Sequence, residues 1–115
     1  MNILQILKIL CAIVTIGVGV FSVVKPTGVY DFTGLQVSGP RGITEIRAVL
    51  GALFVGLGLA PFLLKLDPVA FKAGGITYLA VGIVRLASMF LDKSVMQSNW
   101  VSLGFEVVFG IILVL

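Results

Sequence analysis

Long unbroken apolar runs, separated by short polar interruptions, make up almost the whole chain. A first run covers about 3–24 and stops at Lys25-Pro26, where proline disfavours helix in the residue before it. A second covers about 43–64 and ends in Lys65-Leu66-Asp67-Pro68; a third, about 69–91, stops at Asp92-Lys93. A fourth, about 99–115, opens with Asn99-Trp100. Runs of about 22 residues, at about 1.5 Å rise each, cross roughly 30 Å of hydrocarbon. The runs are continuously apolar rather than alternating, and four strands cannot close a barrel. The pattern therefore predicts an all-α integral membrane protein: four transmembrane helices in a single domain, 1–115.

Between the first two runs lies the one substantial loop, 25–42. Pro26, Gly28, Gly34, Gly39, Pro40 and Gly42 argue for turns there rather than a further helix. Val29, Tyr30, Phe32, Leu35 and Val37 make it too apolar for a free linker, so it is expected to fold back and cap the bundle. Tyr30 and Trp100 then become interfacial aromatics on that side.

Composition agrees with the bilayer as solvent. Hydrophobic residues are 59% and charged residues 11% of the chain, and mean hydropathy is +1.21, against roughly 45–50% apolar and about 25% charged in soluble domains. Lys8 interrupts the first run where a signal peptide needs an uncharged stretch, and no A-x-A-like site follows, so a retained helix is expected. Four crossings put both termini on one side. That side carries Lys8, Lys65 and Lys72, and the opposite side Lys25, Arg41 and Lys93, so the positive-inside rule favours neither orientation. The short connections suit a bacterial inner membrane with a cytoplasmic N-terminus.

Several chemistries lose their residues. The chain has no histidine, the usual general base and metal ligand. Its single cysteine, Cys11, cannot form an internal disulfide, and bulky Leu10 before it does not suit a lipoprotein cleavage site. With carboxylates scattered, no metal centre and no cofactor is expected. The net charge of +3 is spread over Lys8, Lys25, Lys65, Lys72 and Lys93 without a basic run, which suits snorkelling to headgroups and not nucleic acid.

Lipid removes the hydrophobic drive between helices, so small residues must let backbones approach. The second run carries Ala48, Ala52, Gly56 and Ala60 at strict four-residue spacing, with Gly51 and Gly58 on a neighbouring face. The third offers Gly74, Tyr78 and Gly82 with Gly75 beside them; the fourth offers Ser102, Glu106 and Gly110; the first offers Thr15 and Gly19. These stripes serve either packing within the chain or a homo-oligomer interface. Pro61 should kink the second helix or end its regular part.

Four charges interrupt the apolar runs: Glu45, Arg47, Arg85 and Glu106. An intramembrane charge is costly and marks a candidate site. In the four-helix topology all four fall within roughly 3–11 Å of the loop-side interface. Glu45 and Arg47, two apart, point to nearly opposite sides of a helix and need partners elsewhere. Arg47 with Glu106 and Arg85 with Glu45, or the reverse, is the economical arrangement. Two roles are open to this layer. It can clamp the helices through arginine's planar fork, or it can line a hydrated pocket for an anionic or carbonyl-bearing ligand, a cation or a proton. Tyr78, deeper on the third helix, is placed to line such a pocket, and Gln97, Asn99 and Ser102 to rim it.

The run Thr44-Glu45-Ile46-Arg47-Ala48-Val49-Leu50-Gly51-Ala52 resembles the T-E-[IL]-R-A-x-Y-G-G signature of an uncharacterised bacterial membrane family, domain of unknown function 4345. The stretch from Gly19 to Pro26 is similar to that family's first-helix exit, and Arg85 and Glu106 to its arginine late in the third helix and glutamate in the fourth. Leu50 stands where the family often has tyrosine, and Ala52 where it has the second glycine. The resemblance implies a four-helix membrane protein and no particular activity.

The leading expectation is a non-enzymatic membrane subunit or self-associating bundle, with the bilayer and a homo-oligomer or larger membrane complex as partners. The alternative is a small-molecule, lipid or ion-binding or transport module around Arg47, Arg85 and Glu106; direct pairing that seals these side chains would remove its main support. An intramembrane enzyme using Glu45, Glu106 and Tyr78 comes third, without a nucleophile motif to carry it.

Overall fold

A computed structural model describes residues Met1–Leu115 and is all-helical, without strands. Helix α1 (Ile3–Val24) is started by Asn2, whose Oδ1 accepts from the Gln5 N–H at 2.8 Å, satisfying one of the free donors of the first turn. It ends at Lys25, as expected from Pro26. The connection is more ordered than a string of turns: a 3₁₀ turn (Pro26–Val29) leads into one turn of helix, α2 (Tyr30–Thr33). Gly34 stops it with φ of 75°, a left-handed conformation that costs a Cβ-bearing residue energy. The connection does fold back on α1. Val29 and Pro26 are fully buried or nearly so, and the Phe32 and Phe21 rings lie 5.8 Å apart.

The second span begins earlier than the apolar run suggests, at Pro40 rather than near Ile43. Proline at the first helical position gives up an N–H that would be unsatisfied there anyway. The span runs as α3 (Pro40–Glu45), a π-helical stretch (Ile46–Ala52) and α4 (Leu53–Leu63). Pro61 ends its regular part: the helix stops at Leu63, and the Leu66 N–H closes on the Pro61 carbonyl at 2.6 Å. Asp67 then caps α5 (Pro68–Leu91) by accepting from the Val69 N–H at 2.8 Å. At the far end Lys93 adopts φ of 53°, and the Ser94 N–H reaches back to the Met89 carbonyl, a six-to-one C-terminal cap. Helix α6 (Gln97–Val114) completes four helices long and apolar enough to cross a membrane.

The helices pack as two antiparallel hairpins, α1 with the second span and α5 with α6, which meet more lightly along α1–α6 and α4–α5. Both hairpins rest on glycine. A Cβ on Gly19 would stand 2.6 Å from the Gly51 carbonyl oxygen and 2.7 Å from the Val55 nitrogen, and one on Gly75 would stand 2.8 Å from the Gly110 carbonyl oxygen. Such approach is available only where no side chain intervenes.

Ile46 and Gly51, five residues apart, are both buried, a spacing that an i→i+5 turn supplies and an α-helical face does not. Gly51 and Gly58, seven residues apart and so on one helix face, pack against α1, while Ala48, Ala52 and Gly56 of the four-residue stripe look outward. Packing of that stripe within the chain is thus corrected: the neighbouring glycine face takes its place.

The buried apolar cluster of Cys11, Ala12, Phe71 and Leu113 lies toward the end that holds both termini. The Lys8 stem lies beside it, at the end where a snorkelling lysine is expected. The residue is 7% exposed, and its Nζ sits 6.0 Å from the centre of the Phe71 ring, a cation–π arrangement. Only 21 of 115 residues are buried, which leaves most of the apolar surface to face lipid.

Candidate functional site

Arg85 lies two turns before the end of α5, and Glu106 lies well inside α6, on the stripe that also carries Gly110. Gly82, one turn from Arg85, keeps α5 close to α6: a Cβ there would already touch the Cβ of Glu106 at 3.6 Å. The Arg85 guanidinium meets the carboxylate side-on. Nε donates to Oε1 at 2.8 Å and Oε2 at 3.0 Å, and Nη2 donates to Oε2 at 2.7 Å. Charge-assisted forks of this kind are the strongest side-chain hydrogen bonds and fix geometry as well as neutralising charge.

Asn99, in the first turn of α6, holds the third edge. Its Oδ1 accepts from Arg85 Nη1 at 2.9 Å, while its Nδ2 donates to the Ser94 carbonyl at 2.8 Å, which sets which way the amide faces. The arginine head is thereby drawn up to the level of the α5–α6 connection. Glu106 is nearly enclosed, with 11% of its side chain exposed against 31% for Arg85.

The rest of the expected layer is placed differently. Glu45 pairs with Arg41, one turn earlier on α3, and both are exposed. The pairing of Glu45 with Arg85, and of Arg47 with Glu106, does not form. Arg85 and Glu106 are neighbours within one hairpin, whereas Glu45 and Arg47 project from the other. Arg47, in the π-helical stretch, is exposed and has no carboxylate within ion-pair distance.

Tyr78 is about 10 Å deeper than Arg85 along α5 and does not share its surroundings. Thr15 donates to the Cys11 carbonyl at 2.8 Å, which leaves its oxygen to accept from the Tyr78 hydroxyl at 2.5 Å. The Tyr78 ring packs edge-on to Phe109 at 5.5 Å. Tyr78 is a joint between the hairpins. The gap around Thr15, Gly58 and Tyr78 measures about 10 Å³, at the lower limit for a single water.

What Arg85 does border is a groove of about 520 Å³ on the outer side of the α5–α6 hairpin. Ser88, Ser94 and Asn99 line its polar end, and Ala80, Val81 and Val84 its apolar end. Of the residues expected to rim a pocket, Asn99 does so; Gln97 is exposed and Ser102 half-buried, both outside the groove. Sequence reasoning passed over Ser94, whose place depends on the left-handed turn at Lys93, and Ala80, an exposed small residue within α5. No group of His, Cys, Asp or Glu is assembled to hold a metal ion.

Four apolar helices, with an arginine–glutamate fork held inside the second hairpin, define a small polytopic α-helical membrane protein. The chain belongs to the family described as Domain of unknown function (DUF4345), whose model matches residues 3–115. No curated protein and no solved structure matches it.

Proposed function

We propose that the chain is a non-enzymatic, multi-pass bundle of a bacterial inner membrane that self-associates through the outward face of its second span. The observation that carries this is an unused packing face. Gly19, Gly51, Gly58, Gly75 and Gly110 are consumed in contacts within the chain, yet Ala48, Ala52 and Gly56 stand open, and a Cβ on Gly56 would meet nothing within 4 Å. Small residues at this spacing are what membrane helices use to dock closely. Arg47 strengthens the reading: a guanidinium in an apolar span favours a carboxylate partner, and Glu45 of a second copy lies at about the same depth.

Packing is favoured over passage as the role of the other charges. The Arg85 fork is turned on Glu106, and the gap at the centre of the bundle holds one water at most. The test is oligomeric state in lipid nanodiscs. Gly56→Leu should shift the protein from dimer or higher to monomer, while Gly17→Leu, on an equally open position of α1, should not. A wild-type protein that stays monomeric at every protein-to-lipid ratio would overturn the proposal, as would a stoichiometric partner of another sequence on this face.

A further inference from the structure

Arg85 carries five N–H donors, and its neighbours use three of them. Glu106 takes Nε–H and one N–H of Nη2, and Asn99 takes one of Nη1. One N–H on each terminal nitrogen is left over, and the head is partly open to the groove. Beside it the Ser94 hydroxyl makes no hydrogen bond within the protein, while Ser88 is spent on Asp92. A guanidinium edge with spare donors and a free hydroxyl, at a membrane interface, match the oxygens of a phosphate ester.

The groove is also graded along its length. Its polar end lies at the α5–α6 connection, and Ala80 lies about 7.5 Å deeper than Arg85 toward the bilayer centre. Ala80 is small and outward-facing, which opens room where Val81 and Val84 form an apolar wall. A polar head and an apolar tail, in that order from the interface inward, are the layout of a membrane phospholipid. Since Glu106 already balances the Arg85 charge, the site suits a singly charged phosphodiester better than a doubly charged phosphate monoester.

We propose that this groove is a specific phospholipid site, in which the lipid phosphodiester accepts from the free edge of Arg85 and from Ser94 while one acyl chain lies along Ala80, Val81 and Val84. An arginine edge with free N–H donors is well matched to phosphate oxygens. The site is independent of the association face, since it sits on the other hairpin.

The test is native mass spectrometry of the full-length protein released from nanodiscs made with a phospholipid, with diacylglycerol of the same chains added in equal amount. The wild type should retain one phospholipid and no diacylglycerol. Ala80→Phe fills the apolar end, and Ser94→Val removes the free hydroxyl, without touching the Arg85–Glu106 fork. Each should cut retained phospholipid by about tenfold, the loss expected for a charge-assisted contact or its supporting chain. Thermal melting equal to wild type shows that the variants are folded, and either variant suffices if the other is not. Equal retention of diacylglycerol, or undiminished phospholipid in a folded variant, would overturn the proposal. Displacement of the lipid by free glycerophosphate would assign the site to a soluble anion instead.

Discussion

Arg85 and Glu106 form a side-on fork across one hairpin, with three nitrogen-to-oxygen distances between 2.7 and 3.0 Å, and neither residue reaches the charged pair on the other hairpin. The fork closes a hairpin that glycine has already drawn tight at Gly75 and Gly110. It neutralises both charges locally and sets the register of α6 on α5.

Glu106→Gln should therefore destabilise the bundle by about 2–3 kcal/mol, somewhat below the 3–5 kcal/mol typical of a fully enclosed pair because Arg85 is partly open. Replacing both residues, as in Arg85→Met with Glu106→Leu, should cost less than the two single changes summed. Thermal unfolding in mild detergent measures the cycle, and strict additivity would show that the two side chains are not coupled.

Glycine positions should divide sharply. Gly19→Ala places a methyl 2.6 Å from the Gly51 carbonyl oxygen, a backbone atom that can move only if the hairpin opens. A loss of about 1–3 kcal/mol is expected, in the range of overpacking. Gly56→Ala meets open space within one copy, so in the detergent-solubilised monomer it should leave melting unchanged or slightly raised, since alanine favours helix by up to about 1 kcal/mol. Melting curves of the two variants side by side provide the check.

The four spans were legible because an unbroken run of about 22 apolar residues has few other uses. Their edges were less so. Beginning the second helix near Ile43 left Arg41 in a loop, and with it the partner of Glu45 four residues on; Gly39-Pro40 was the signal for an earlier start. The π-helical stretch has no local signature, because it depends on Gly51 lying against Gly19 and Val23 from another helix. Arg85 and Glu106 were legible as interior charges, but their pairing depended on the hairpin geometry, and Asn99 on its turn toward Ser94.

Lys8 should be replaceable. Its stem is buried against Phe71 and it has no carboxylate partner in the chain, so its charge gains only a cation–π contact, about 0.5–2 kcal/mol, against partial loss of water contact. Lys8→Met keeps the aliphatic stem and removes the charge. The melting temperature should hold or rise; a fall of several degrees would show that the ammonium has a partner outside the chain, such as a headgroup.

The two hairpins share one side-chain hydrogen bond, from Tyr78 on α5 to Thr15 on α1. Tyr78→Phe keeps the ring on Phe109 and removes only the hydroxyl, leaving Thr15 satisfied by its bond to the Cys11 carbonyl. No buried group is orphaned, so the cost should be small, about 0.5–1 kcal/mol, as measured for interhelical hydrogen bonds in membranes. Its effect should be selective. Hydrogen exchange in lipid should speed up at the α1–α5 junction while the amides around Gly75 and Gly110 keep their protection, because the second hairpin is closed by its own glycines and by the Arg85–Glu106 fork. Equal loss of protection in both hairpins would mean that the bundle unfolds as one unit.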